Sequence, residues 1–221
     1  YLFSNGHEEY KHILGNWSVW IYHIMYKIVT SNSEVLVCDE RLCKKKSHII
    51  SASPLNNEWL VNQKKALLDK VRFFYVGRIN PEKGIFSFLK MFNEIKFDAE
   101  FSIVGNSKNQ KILNSKVKLL GYISDPKLLI NTYDNHNIMV LPSYTEGTPY
   151  TMNESLARQR PIIIFEDIAY ITKEKIGIFI SKRNVVSFSE TTKYIMDNYL
   201  EIQKKMEKNI LPTRNNMIKQ I

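Results

Sequence analysis

From Val71 onward the chain alternates short, continuous apolar runs with segments of helical periodicity. The apolar runs lie at 72–76, 100–104, 117–120, 138–141 and 161–165, and a further short one lies at 178–180. Apolar runs without polar alternation are typical of strands buried on both faces, and strands that alternate with helices form parallel sheets. The sequence therefore predicts an α/β fold, with a Rossmann-like parallel sheet and helices on both faces.

Glycine follows three successive runs, at Gly77, Gly105 and Gly121. Because glycine has no Cβ, it lets the chain turn sharply beside a ligand. Ligands of open α/β sheets bind at the carboxyl ends of the strands. We therefore expect the binding site at the edge where these three runs end.

The alternation also predicts the domain organisation. Residues 71–190 form the Rossmann-like domain, and residues 191–221 form a helical tail. Residues 56–70 are an interdomain linker, of which the polar stretch 58–70 is predicted to be helical. Residues 1–55 are too few for a second complete domain of this kind, and we expect them to be the end of a truncated one.

Smaller features complete the predicted secondary structure. Helices are expected at 83–93, 126–133 and 150–159, and short strands at 35–38 and 48–51. The apolar stretch from Trp17 to Val29 contains His23 and Lys27 and is shorter than the ~20 residues of a membrane span. A core or interfacial helix is therefore predicted there.

The formal net charge of +9 favours anionic partners, namely nucleic acid, anionic lipid or phosphate-bearing ligands. Solvated lysines on exposed faces, such as those at 44–46, account for part of this charge. No helix-turn-helix, zinc-finger or RNP-like motif is present, so nucleic acid is not an expected partner. Cys38 and Cys43 have neither the CxxC spacing nor neighbouring histidines, so we predict no metal site and reduced thiols. The chain also begins without a signal-peptide pattern.

The first candidate segment runs from Gly77 to Gly84, between a predicted strand and a predicted helix. Arg78 and Lys83 lie five residues apart in it. A helix N-terminus already favours anions through its N–H groups and its dipole. The segment therefore predicts a diphosphate site, and the alternative is a turn with two solvated cations.

The second candidate segment spans residues 142–157 and again joins a strand to a helix. Glu146 precedes the turn, and Glu154 lies about one turn into the helix. Carboxylates are good acceptors for sugar or ribose hydroxyls. Two alternatives remain from spacing alone: Thr151 and Glu154 match a capping box, and Glu146 is a simple loop acid.

Taken in order, the chain reads Gly-Arg-x-x-x-Glu-Lys-Gly, Val-Gly, Leu-Gly-Tyr and Pro-Ser-x-x-Glu-Gly-x-Pro-x-x-x-x-Glu-Ser-Leu-Ala. From about Val71 to Phe165 it resembles the C-terminal, donor-binding domain of retaining GT-B glycosyltransferases of family GT4. The resemblance implies an enzyme that moves a hexose, with retention, from a UDP- or GDP-sugar to a glycan or lipid-linked acceptor. It also implies a part in surface polysaccharide or glycolipid synthesis, and no obligatory metal or other cofactor, in agreement with the missing Asp-x-Asp motif.

The resemblance implies a role for each matching residue. Arg78 and Lys83 would bind the donor diphosphate and help the nucleoside diphosphate to leave. Glu146 would contact the transferred sugar near its anomeric carbon, and Glu154 would hold the ribose hydroxyls. Further donor contacts would come from Gly105, Tyr122, Ile123, Gly147, Thr148, Pro149, Tyr150 and Thr151.

The chain also departs from the family pattern. The Gly-rich loop and the histidine of the family's N-terminal, acceptor-side domain have no counterpart, Ser53-Pro54-Leu55 replaces Pro-Asn-Gly, and Asn153 occupies a slot that is usually apolar. A nucleotide-binding subunit that lacks catalysis and needs a partner is therefore the alternative function. The resemblance implies a cytoplasmic location, with peripheral contact to the anionic inner face of the membrane as a further expectation.

Overall fold

The computed structural model describes residues 6–31, 33–37, 47–50, 53–106 and 115–220. The chain's contacts divide it into two compact units. The larger unit comprises Leu55–Tyr144 and Thr151–Leu211, and the smaller comprises Tyr1–Pro54, Thr145–Tyr150 and Pro212–Ile221.

The helices are α1 (Gly6–Leu14), α2 (Ser18–Ser31), α3 (Asn57–Leu60), α4 (Ile85–Asn93), α5 (Pro126–Asp134), α6 (Tyr150–Ala157), α7 (Val185–Asp197), α8 (Tyr199–Met206) and α9 (Arg214–Lys219). The strands are β1 (Val35–Val37), β2 (Ser47–Ile49), β3 (Val71–Val76), β4 (Ala99–Val104), β5 (Val117–Gly121), β6 (Ile138–Leu141), β7 (Ile162–Phe165) and β8 (Ile178–Ser181). A 3₁₀ turn lies at Pro81–Lys83, and a longer 3₁₀ segment with a kink at Ile168 lies at Glu166–Ile171.

The larger unit is built on a six-stranded sheet in the order β5-β4-β3-β6-β7-β8, in which every neighbouring pair is parallel. Each strand of this sheet coincides with a predicted apolar run. The interior strands β4, β6 and β7 are almost entirely buried, and the middle of β3 is buried as well, because helices cover the sheet on both sides. The predicted parallel α/β fold is confirmed.

The neighbours Phe73 and Phe74 of β3 show that both faces are covered, since adjacent strand residues point to opposite faces. The Phe73 ring lies 6.2 Å from Phe92 of α4 and 5.2 Å from Phe188 of α7, measured between centroids. The Phe74 ring lies 4.9 Å from Tyr133 of α5. Helices α4 and α7 therefore share one face, and α5 covers the other.

Two buried arginines, Arg158 and Arg160, fix the stretch between α3 and β3. Their guanidinium groups donate to the carbonyl oxygens of Trp59, Val61, Asn62 and Lys64. Arg158 also pairs with the buried carboxylate of Asp134, at 2.9 and 2.8 Å. Because these carbonyls bond to arginine rather than to backbone amides, the helix predicted over 58–70 is wrong beyond Leu60. The arginines hold this stretch, which is neither helix nor strand between Leu60 and Val71.

The predicted helix starts and ends need small corrections. The helix expected from Lys83 begins at Ile85, because Gly84 has left-handed backbone angles and separates it from the 3₁₀ turn. The helix expected to reach Gln159 ends at Ala157, and Gln159 has φ of +54°. Helix α7 crosses the expected boundary between residues 190 and 191.

Asn153, in the middle of α6, is fully buried. Its Oδ1 accepts a hydrogen bond from Lys175 Nζ at 2.5 Å, whereas its Nδ2 has no partner among the described residues. Burial, and then the charge of Lys173, lower the pKa of Lys175 to about 8. An unsatisfied buried donor costs about 1–3 kcal/mol. The polar residue in this usually apolar slot therefore lowers stability.

In the smaller unit, α1 and α2 form a hairpin, in which Ser18 Oγ donates to the carbonyl oxygen of Tyr10 at 2.8 Å. The predicted upstream strands are confirmed as the parallel pair β1 and β2, although Cys38 and Ser51 at their ends lie outside the described residues, as do Cys43 and Lys44–46. A helix covers 18–29 as predicted, but the core position is wrong: among its described side chains only Ser18 is buried, and apolar residues such as Trp20 and Ile28 are exposed. In the described part of the chain, no helix combines the length and apolarity that a membrane crossing requires.

Candidate functional site

The strand order of the large sheet reverses between β3 and β6. From β3 the chain proceeds outward to β4 and β5, and from β6 it proceeds in the other direction to β7 and β8. Loops that follow β3 and β6 therefore leave neighbouring strands at the same edge and diverge. A crevice forms at such a reversal, and it is where open α/β sheets bind ligands. Both candidate segments begin at this point.

The three strand-terminal glycines lie side by side along the same edge. The Gly77 amide donates to the carbonyl oxygen of Val104 at 2.9 Å, and the Gly105 amide donates to that of Gly121 at 2.9 Å. A Cβ on Gly105 would lie 2.0 Å from the Gly77 carbonyl oxygen. The backbone at Gly105 therefore approaches that at Gly77 too closely for a side chain. Beyond Gly121, Tyr122 is exposed, with 70% of its surface accessible.

The turn from Gly77 to Gly84 is held by its own polar groups. Tyr75 Oη donates to the carbonyl oxygen of Arg78 at 2.7 Å, and Asn80 Nδ2 donates to Glu82 Oε1 at 2.9 Å. The Arg78 side chain is exposed and the Lys83 side chain is half-buried. Burial acts to raise the pKa of the Glu82 carboxyl, but the Asn80 hydrogen bond and then the nearby Arg78 and Lys83 charges lower it overall. The turn thus presents two cations, partly offset by one carboxylate.

The turn contacts the start of the second candidate segment. The Tyr144 amide donates to the carbonyl oxygen of Glu82 at 3.0 Å. Gly84 has φ of +64°, and a Cβ added there would lie 1.9 Å from the carbonyl oxygen of Pro142. The residue between the 3₁₀ turn and α4 therefore has to be glycine, for its backbone angles and for the space.

Glu154 lies inside α6 and is almost fully buried, with 8% of its surface exposed. Its Oε2 accepts a hydrogen bond of 2.6 Å from the buried Tyr133 hydroxyl. Thr151 is already within α6, so it is not the residue that caps the helix, and the capping-box alternative is wrong. Burial raises the pKa of the Glu154 carboxyl, and the Tyr133 hydrogen bond opposes that rise.

Sequence reasoning missed Tyr133 as a partner of Glu154. The two residues lie 21 positions apart, and Tyr133 has the spacing of an ordinary core residue of α5. Its ring packs edge-on against Trp59, at 5.2 Å between centroids. Burial and the adjacent carboxyl raise the pKa of Tyr133 well above its usual value, so it stays a hydrogen-bond donor.

Residues 145–150 belong to the smaller unit. Within this loop, Glu146, Gly147 and Thr148 are half-buried, Pro149 is buried and Tyr150 is exposed. Glu146 is therefore not a fully exposed loop acid. In the larger unit, Ile123 and Thr151 are half-buried. The roles of all these residues stay predictions.

The parts of the chain that the structure describes contain no group of three His, Cys, Asp or Glu side chains close enough to hold a metal ion. The candidate charged groups are instead the cations of the 77–84 turn and the carboxylate of Glu154. Such a set suits an anion with hydroxyl groups attached.

Comparison with known proteins adds a sequence match and a fold match. The sequence model for Glycosyl transferases group 1 matches residues 70–198. The capsular polysaccharide biosynthesis glycosyltransferase CapM of Staphylococcus aureus is 24% identical over 159 residues, which cover 65% of this chain and 41% of CapM. The chain spans less than half the length of the curated relatives it matches.

Solved structures with the same GT-B fold include sucrose-phosphate synthase from Thermosynechococcus elongatus. That structure has a TM-score of 0.67 and 15% identity, over 90% of this chain and 60% of that protein. Anabaena HepE, solved in complex with UDP and glucose, has a TM-score of 0.57 and 11% identity, over 73% of this chain and 50% of that protein.

The pKa of Glu154 generates a pH prediction. A carboxyl whose pKa is higher in the folded state than in the unfolded state makes the folded protein less stable as pH rises through that interval. Glu154→Gln cannot ionise, so the variant should gain stability relative to wild type between pH 4.5 and pH 7.5. Urea unfolding at the two pH values measures this difference, with Glu190→Gln on an exposed part of α7 as the control. The burial argument would be contradicted if the difference in unfolding free energy between Glu154→Gln and wild type were the same at both pH values, as is expected for the Glu190→Gln control.

Two glycines with left-handed angles provide a matched pair of variants. Gly121 has φ of +73°, and no atom of the described residues lies within 4 Å of an added Cβ, whereas Gly84 meets Pro142. We expect Gly121→Ala to cost about 1 kcal/mol of unfolding free energy, the cost of the backbone angles alone. Gly84→Ala should cost at least about 2 kcal/mol more, because it also forces two segments apart. Chemical denaturation measures both costs, and equal costs would show that the approach of Gly84 to Pro142 is not tight.

Proposed function

The chain belongs to the glycosyl transferases group 1 family, and we propose that it binds a nucleoside-diphosphate sugar at the carboxyl edge of its six-stranded sheet. The proposal extends to a GT4-type enzyme that transfers a hexose from a UDP- or GDP-sugar with retention. The acceptor is a glycan or a lipid-linked glycan, in capsule-like polysaccharide or glycolipid synthesis. The similarity to CapM supports the class of pathway, and the family match supports the type of reaction.

One observation carries the proposal. The 77–84 turn and the start of the 142–157 segment contact each other at the strand reversal, through the Tyr144 amide and the carbonyl oxygen of Glu82. These are the two segments whose residue types suit a diphosphate and sugar hydroxyls. Their meeting at the edge used for ligands in this fold supports one shared donor site.

The diphosphate is proposed to bind at Arg78 and Lys83. Both lie in a turn that opens α4, where backbone N–H groups and the helix dipole also favour an anion. As the glycosidic bond to the phosphate breaks, charge builds on the leaving diphosphate. Fixed cations that face this charge stabilise the transition state without reorganisation, and no metal ion is proposed for this task.

The ribose is proposed to bind Glu154. A carboxylate held by Tyr133 in a nearly dry position keeps one orientation, and accepts hydrogen bonds from paired hydroxyls. Its burial costs stability, and a binding role explains why such a group is placed there. Glu146 is proposed to contact the transferred sugar, and Gly147 to Thr151 to line the sugar and phosphates. Tyr122 and Ile123 are proposed to lie near the base, and Gly105 near the donor.

Calorimetric titration with UDP and GDP tests the diphosphate role. UDP is the first ligand to test, because HepE was solved with UDP and glucose. We expect Arg78→Ala and Lys83→Ala each to weaken binding by about tenfold or more, as the loss of a charged hydrogen-bond donor does. The matched control is Lys90→Ala, which removes an exposed cation from the last turn of α4 and should leave affinity unchanged.

If neither UDP nor GDP binds at millimolar concentration, the proposed donor site is refuted. Unchanged affinity in both Arg78→Ala and Lys83→Ala would refute the diphosphate role but leave nucleotide binding in place. Binding without transfer to any glycan acceptor would favour the alternative, a nucleotide-binding subunit that needs a partner.

A further inference from the structure

Arg183 lies two residues beyond β8, at the edge where β6, β7 and β8 end. Its Nη1 donates to the carbonyl oxygen of Pro142 at 3.0 Å, and its Nη2 donates to that of Ser143 at 3.3 Å. Its Nη2 and Nε also donate to Asp167 Oδ2, at 2.7 and 3.2 Å. One side chain therefore bonds to the segments that follow two other strands.

The flat guanidinium also packs against two aromatic rings. Its Cζ lies 4.3 Å from the centroid of Tyr144 and 4.4 Å from that of Phe165. A cation over an aromatic face is attracted by the ring's quadrupole. A lysine ammonium cannot bond two carbonyls and a carboxylate while it stacks on rings, because it is a compact point charge without a planar fork. The position therefore makes specific use of arginine.

The bonded carbonyls belong to Pro142–Tyr144, which we call the stem of the β6–α6 loop. The stem leads directly to Glu146. It is also bonded to the 77–84 turn, through the Tyr144 amide and the carbonyl oxygen of Glu82, and it closely approaches Gly84. The stem is thus held between Arg183 and the turn that carries Arg78 and Lys83.

We propose that Arg183 is a positioning residue of the donor site, which fixes the direction in which the β6–α6 loop leaves the sheet. Asp167 orients the guanidinium, and the Pro142 and Ser143 carbonyls receive its hydrogen bonds. The inference rests on the proposed function, because the stem joins the two segments that are proposed to bind the donor. A purely structural Arg183 would instead stabilise the sheet edge without a selective effect on the stem.

Hydrogen exchange of the ligand-free protein separates these two roles. The Arg183→Met variant keeps an apolar side chain beside the rings of Tyr144 and Phe165 but loses the N–H donors of the guanidinium. We expect exchange of the Tyr144 amide to rise by about tenfold or more, the effect of losing a charged donor to the stem. Amides of β7, β8 and α7 should keep their wild-type rates. Arg183→Lys and Asp167→Asn should have intermediate effects on the Tyr144 amide.

Lys182→Met is the matched control, since it removes an exposed cation from the adjacent position. It should leave exchange at Tyr144 unchanged. Unchanged exchange at Tyr144 in Arg183→Met would overturn the proposal. A uniform rise across β6, β7 and β8 would also overturn it, because that pattern reports lower global stability.

Calorimetry with UDP and GDP then links the stem to ligand binding. Arg183→Met should lower the affinity for the nucleotide that wild type binds by about tenfold. A loss of this size is expected when a charged contact that orders a site is removed. Lys182→Met should bind like wild type. Wild-type affinity in Arg183→Met would overturn the positioning role. If wild type binds neither nucleotide, the proposed function fails, and the exchange data alone still decide whether Arg183 fixes the stem.

Discussion

The parallel pairing of β3 with both β4 and β6 is the constraint on which the candidate site depends. Parallel strands place all their carboxyl ends at one edge, and the reversal of strand order beside β3 makes two loops diverge there. The 77–84 turn and the stem of the β6–α6 loop are these two loops, although they are more than fifty residues apart in the sequence. Their hydrogen bond, from the Tyr144 amide to the carbonyl oxygen of Glu82, is a direct consequence of the pairing.

Several polar groups of the larger unit are retained at a cost in stability. Glu154 is buried beside Tyr133, which holds its carboxyl in one orientation but does not remove the penalty of ionising it. At the opposite edge of the sheet, between α6 and β7, Arg158 and Arg160 are buried. They pair with the carboxylate of Asp134, and backbone carbonyls accept their other hydrogen bonds. The arginine pair has a structural purpose, since it fixes the linker. Glu154 has no such purpose in the described structure, which is why a ligand is the better explanation for it.

Much of the fold could be predicted from the sequence. Strands buried on both faces appear as uninterrupted apolar runs, and glycine marks the ends of three of them. The path of the chain between α3 and β3 could not be predicted, because it depends on Arg158 and Arg160, about a hundred residues away. In the sequence, these arginines look like surface residues. The same applies within the site. Arg78, Lys83 and Glu154 have local motifs, whereas Tyr133 and Arg183 act through contacts that close only after the sheet has formed. From spacing alone, Glu154 could also have been the second residue of a capping box with Thr151. Only the position of the helix start in the structure excludes that alternative.

The central claim is that the nucleotide binds at the β3–β6 reversal, and amide chemical-shift mapping of the ¹⁵N-labelled chain tests it most directly. Titration with UDP or GDP should produce saturable shifts that cluster at Gly77, Gly84, Gly105 and the stem, and that extend to Glu154. The cavity of about 370 Å³ between α5 and the stretch that follows α3, lined by residues such as Lys127 and Asn62, should show no shifts. Saturable shifts confined to that cavity, with none along the carboxyl edge, would contradict the account.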